Sequence, residues 1–478
     1  MADPVQEPTH LAATPPDDPL IAERHARRPW RVVVFAMLAV LLLTLAGISR
    51  YSAAGSKAVT ESNQQAALMF ADLSARLAMM GLEEGSPMAP FGRKFAEQAA
   101  GYYITALDIR PNDVRIRLSA ALMYDRLGRQ DTAQALLSEG LRRNLGEGGL
   151  LPLILYYSGK PPEARWGLEP AVKKLLDAQP AADIFWAGYY QRLGMTPLAD
   201  QTKERAAAEA ERLFTRVLRA FFVGFLLALV GLGLIVARAA GLRWLGHHQV
   251  ALPPWGVALG LQTLVLFVVA TQGLGVLAAL FVPRQTTAVV ASYLGATVVT
   301  LVWLVLVLPR GVDVLAAAGW RLGGGRPLLQ SLVQVLRGVG GYALVLPMMA
   351  ALGLASRAIF PNEPLVSPVV NLIRGEHQPG AVLALALLVV VAAPIVEETL
   401  FRGILFGGLR RRMSLWPAAL LSGFLFALVH FQPVVLLPFL GLGVVLAVLY
   451  ERSGSLLPPT VAHAAFNAMS LTAVFLLR

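Results

Sequence analysis

From residue 217 onward this chain is dominated by long apolar runs, and a soluble fold has nowhere to put them. They fall at about 217–237, 256–282, 287–308, 328–352, 380–400, 415–431, 434–450 and 456–477, and one more occupies Val32 to Ile48. A run of ~20 apolar residues crosses a bilayer as a helix, because a helix satisfies its own backbone N–H and C=O groups without water. Of the 478 residues, 56% are apolar and only 15% are charged. The expected fold is therefore all-α: a polytopic membrane helix bundle of about eight C-terminal spans plus one N-terminal anchor. The runs between 415 and 450 are short enough to be re-entrant.

Charge sets the topology. The net charge of +11 does not point to nucleic acid, because the arginines sit beside apolar runs, where they decide which end stays inside. Arg24, Arg27, Arg28 and Arg31 precede the first run. Residues 1–30 are thus expected to be a cytoplasmic tail and 31–49 an uncleaved transmembrane anchor. Counted from there, the loops with Arg238 and Arg243, with Arg310, Arg321 and Arg326, and with Arg410 to Arg412 all fall on the cytoplasmic side. That places 51–216 outside, and a bacterial inner (plasma) membrane is the expected location. With no cysteine, neither disulfides nor thiolate chemistry operates.

Residues 51–216 have a soluble, helical composition and an internal repeat. Tyr124, Gly128 and Ala133 recur as Leu155, Gly159 and Ala164, and again as Tyr190, Gly194 and Ala199. Ala99, Tyr103, Ala106 and Pro111 fit the second helix of a preceding unit. The pattern resembles tetratricopeptide (TPR) repeats, with small residues where paired helices touch and Gly at the turn. Such a TPR-like domain is expected to dock a protein partner.

The polar residues of the last hundred positions come in helical pairs. Glu397 and Glu398 sit side by side, and Glu398 and Arg402 are i and i+4, the favourable order for an ion pair on one helix face. Glu397 is left free by that pair. Phe426 and His430 are also four apart, as are His463 and Asn467. Ionisable groups at membrane depth are costly and mark function by default, so two histidines, an asparagine and a free glutamate are expected to share one wet cavity. A carboxylate with imidazoles suits activation of water, with Glu397 as general base and His and Asn donors at the oxyanion. Alternatively, Glu397, His430 and His463 supply a His2Glu set for a divalent ion such as zinc. The residues alone leave both open, although no other cofactor is expected.

EETLFRG, FALVH and HAAFN, in that order, resemble the CPBP family of intramembrane proteases, the CAAX prenyl protease 2 and Abi (bacteriocin-processing) group. The likeness covers about 310–478, with 217–309 as additional transmembrane helices. It implies peptide-bond hydrolysis at the membrane on a peptide or membrane-protein substrate, from a site open toward the cytoplasmic leaflet. By the same resemblance, Glu397 activates the water, His430, His463 and Asn467 complete the site, and Glu398 and Arg402 support it. The alternatives are a non-catalytic membrane scaffold or bacteriocin-immunity-type protein, a transporter using the polar groups as a proton relay, and a zinc-dependent form of the peptidase.

Overall fold

A computed structural model describes residues 67–83, 85–143, 150–158, 170–177, 179–239, 252–320, 327–360, 372–373 and 375–476. The expected tail, the anchor at 31–49, the middle repeat around Gly159 and Ala164, and Arg243, Arg321 and Arg326 lie outside the described residues. Every regular element among the described residues is helical.

The soluble part is a stack of short helices: α1 (67–77), α2 (Ala89–Ile109), α3 (Val114–Arg126), α4 (Gln130–Arg142), α5 (Leu150–Tyr157), α6 (Pro170–Asp177) and α7 (Ala182–Arg192). Its core gathers Tyr103, Leu118, Leu122, Leu137 and Phe185. The first and last copies of the repeat adopt one geometry. Gly128 and Gly194 take φ of +77° and +72°, the left-handed conformation in which glycine ends a helix without Cβ strain. The following amide returns to the aromatic residue each time, from Arg129 to Tyr124 at 2.8 Å and from Met195 to Tyr190 at 2.9 Å. Ala133 and Ala199 are then fully buried.

The expected boundary at 216 is crossed by a single helix, α8 (Thr196–Ala239), of 44 residues and about 66 Å. Its Ala-, Glu- and Arg-rich first half carries no breaker before the apolar run begins, so nothing ends the helix there. Next come α9 (Val257–Phe281), α10 (Gln285–Val307), the short α11 (Val314–Ala318) and α12 (Pro327–Ile359). Helix α13 runs over Pro379–Arg410 and contains two π-helical stretches, Leu388–Ala392 and Thr399–Phe406. The chain closes with α14 (Leu415–Leu428), α15 (Leu436–Ser453) and α16 (Leu457–Leu476).

Among the described residues six helices are long and apolar enough to cross a membrane: α8, α9, α10, α12, α13, and α15 with the 3-10 turn before it. The protein is an integral membrane protein. Of the eight expected C-terminal runs, those at α14 and α16 are not among these six. Helix α14 has 14 residues, about 21 Å and so shorter than a hydrocarbon core of about 30 Å. Helix α16 packs on α12 and α15.

The loops before α9 and after α13 meet on one face, where Arg411 donates to the Pro253 carbonyl at 2.6 Å. On that face Arg410 pairs with Glu451 at 2.7 Å, and the Tyr450 hydroxyl donates to the Ala318 carbonyl at 2.7 Å. Two arginines read as topology signals therefore also tie α13 to its neighbours. Trp255 and Trp320, each near the end of an apolar run, are tied into the bundle by their indole N–H groups. Trp255 is 4% exposed and donates to the Ile404 carbonyl at 3.1 Å, and Trp320 donates to Thr399 Oγ1 at 2.9 Å. Both partners lie on the second π-helical stretch.

Candidate active site

Glu398 and Arg402 have no solvent exposure and are joined at 2.9 Å between Oε1 and Nη1. Arg402 also donates to the Gly443 carbonyl of α15 at 3.1 Å. The close approach this needs is made by glycines: a Cβ on Gly443 would stand 2.6 Å from Gly423 Cα of α14. The pair read from i,i+4 spacing is present.

His463 lies between the two glutamates. Its Nδ1 is 2.9 Å from Glu398 Oε1, and its Nε2 is 3.8 Å from Glu397 Oε2. A carboxylate only accepts, so Nδ1 carries the proton, and Nε2 is directed at Glu397. His430 is held the same way. Its Nδ1 lies 2.7 Å from the Phe426 carbonyl, which also accepts only, leaving Nε2 for the cavity. His430 sits just past the end of α14 and is followed by Phe431, whose φ of +54° is strained for a non-glycine residue.

Phe426 binds the set together. Its ring meets His430 edge-on at 4.9 Å and His463 at 5.6 Å, and the Arg402 guanidinium lies 4.7 Å from its centroid. Asn467 donates through Nδ2 to the Val389 carbonyl at 2.8 Å. One of its amide protons therefore serves the first π-helical stretch, where the shifted ladder frees backbone carbonyls.

Glu397 is the accessible carboxylate, its side chain 16% exposed. It lines a cavity of about 150 Å³ together with His430 and Phe431. The Tyr293 hydroxyl of α10 donates to Glu397 Oε1 at 3.2 Å. The cavity is otherwise walled by α9 through Leu264, Phe267 and Val268. Among the described residues, no three His, Asp or Glu side chains are grouped so as to hold a metal ion.

The family model for type II CAAX prenyl endopeptidase Rce1-like proteins matches residues 379–469, the stretch that carries both glutamates, both histidines and Asn467. An Escherichia coli chain named "Uncharacterized 24.3 kDa protein" is 34% identical over 138 residues, which is 28% of this chain and 61% of that one. The Bacillus subtilis (strain 168) "Putative membrane peptidase YdiL" is 34% identical over 87 residues, 18% of this chain and 36% of its own. The matched segment is thus similar to the CPBP proteases that the three motifs resemble. The chain spans less than two thirds of either relative's length, and no solved structure matches it.

Helices α9 and α10 precede the matched segment, yet they supply Tyr293 and the α9 wall. Spacing could not reveal them, because no periodic motif links Tyr293 to Glu397 across 104 positions. The available signal was polarity: Thr271, Gln272 and Tyr293 interrupt otherwise apolar runs.

Proposed function

We propose that this chain is an intramembrane endopeptidase that hydrolyses peptide bonds of a membrane-associated protein or peptide through water activated by Glu397. The observation that carries the reading is the division of labour between two adjacent carboxylates. Glu398 is buried against Arg402 and His463, whereas Glu397 borders the cavity with an imidazole Nε2 3.8 Å away. That gap is one that a water bonded to both groups spans.

In the proposed step Glu397 takes a proton from this water while the water oxygen attacks the scissile carbonyl carbon. The carbonyl electrons become an oxyanion, which accepts hydrogen bonds from His430 or His463 when Nε2 is protonated, and from the second amide proton of Asn467. Collapse of the intermediate breaks the C–N bond, and Glu397 returns its proton to the leaving amine. Glu398 keeps His463 in one tautomer and one orientation.

A zinc-dependent form of the same peptidase is the second reading: the two pinned Nδ1 atoms leave both Nε2 atoms as donors to a cation, although among the described residues no three such side chains are grouped around one point. Cleavage that survives chelation counts for the first reading, and cleavage restored only by zinc counts for the second. For topology, the shared face of the basic loops supports a cytoplasmic location for them, with 51–216 outside a bacterial inner membrane. The repeat geometry at Gly128 and Gly194 supports a TPR-like domain that docks a protein partner.

The test is Glu397→Gln in native membranes, read by mass spectrometry of protein termini. Loss of a set of termini, with unchanged thermal stability, is expected. Loss of stability with unchanged termini would instead make the polar cluster a packing device, as in a scaffold or immunity-type protein.

A further inference from the structure

Gln272 is an unusual residue for its position. It lies three residues past the midpoint of α9, Val257–Phe281, about 4.5 Å along the axis, within one turn of the middle of a candidate membrane span. Its side chain is exposed and pairs with none of the described residues. An amide facing hydrocarbon without a partner is strongly disfavoured. Polar groups at this depth face a wet cavity or a ligand path. Gln272 does so: it lines the same cavity as Glu397 and His430.

The cavity itself is selective by size. About 150 Å³ is the volume in which an apolar protein cavity takes up a single benzene ring. Leu264, Phe267 and Val268 wall it on α9, and Phe401, Val429 and Phe431 wall the other sides. Phe267 and Tyr293 are packed edge-on at 5.4 Å, which fixes the wall nearest the carboxylate. The space has room for one leucine or phenylalanine side chain.

We propose that this cavity is the subsite for one unmodified apolar side chain beside the scissile bond, and that Gln272 hydrogen-bonds the backbone of the incoming peptide. The Gln272 amide has both a donor and an acceptor, as a peptide unit requires. A peptide so anchored presents its carbonyl to Glu397 and His430 in the same cavity. The specificity of the site therefore comes from α9 and α10, outside the segment that carries the family motifs. This rests on the reading of Glu397 as the reacting carboxylate, and it is tested by binding, which does not require turnover.

The experiment uses the full chain in lipid nanodiscs and an eight-residue peptide with photo-leucine at its centre. Irradiation is expected to cross-link residues 264–268 and 429–431. The yield should fall at least tenfold in Val268→Trp, which fills the cavity, and several-fold in Gln272→Leu, a change that suits lipid and leaves the fold intact. In the wild type, excess phenylalanine-centred peptide should compete and an aspartate-centred one should not, which decides the matter even if Val268→Trp fails to fold. Glu397→Gln should retain the cross-links. Cross-links confined to the lipid-facing Leu277 and Leu280, or equal competition by both peptides, would overturn the subsite while leaving the proteolysis test untouched.

Discussion

His463 Nδ1 and Glu398 Oε1 lie 2.9 Å apart, and the same carboxylate oxygen takes the Arg402 guanidinium at 2.9 Å. One oxygen thereby fixes an imidazole and neutralises a buried cation. Its adjacent residue, Glu397, is left to face the cavity.

Removing one partner of this pair strands a charge at membrane depth. Arg402→Met should destabilise the fold by about 3–5 kcal/mol, since an uncompensated buried charge costs more than the pair gains. The double change of Glu398→Leu with Arg402→Met should recover much of that stability while remaining inactive. Thermal unfolding in detergent measures both. Equal stability of Arg402→Met and wild type would contradict the role assigned to the pair.

Tyr293 tests the contribution of α10. Tyr293→Phe keeps the ring that packs on Phe267 and deletes only the hydroxyl that reaches Glu397 at 3.2 Å. A hydrogen bond of about 1.4 kcal/mol made to the reacting group corresponds to about a tenfold fall in kcat. KM and thermal stability should not move. A change in KM alone would make Tyr293 a substrate contact.

Gly443 and Gly423 set how closely α14 and α15 approach, and hence where His430 and the Arg402 acceptor stand. Gly443→Ala would place its Cβ 2.6 Å from Gly423 Cα. Backbone must move to admit it, at a cost of about 1–3 kcal/mol. Activity should fall further than stability, because the shift displaces His430 from Glu397. Parallel measurement of Tm and cleavage separates the two effects.

How much of this was legible in the sequence depends on distance along the chain. The Glu398–Arg402 pair was, because helical periodicity brings i and i+4 together whatever the surrounding fold. The turn glycines Gly128 and Gly194 were, because a recurring Gly–Ala spacing reflects a local backbone need. The link from His463 to Glu398 spans 65 positions and depends on how α16 packs, which no local pattern encodes. The bonds of Trp255 to Ile404 and of Trp320 to Thr399 span 149 and 79 positions, beyond any local pattern. Their partners appear only once the π-helical stretch of α13 is in place. The short α14 was visible as a weak run, but not the turn that carries His430 into the bundle.

The most direct test of the central claim is cleavage in native membranes suspended in ¹⁸O-labelled water, with wild type and Glu397→Gln compared by mass spectrometry of new C-termini. With Glu397 present, a defined set of termini carrying one ¹⁸O is expected; with Gln in its place, that set should vanish at equal thermal stability. The same labelled termini in both, with both proteins folded, would contradict a glutamate-activated water.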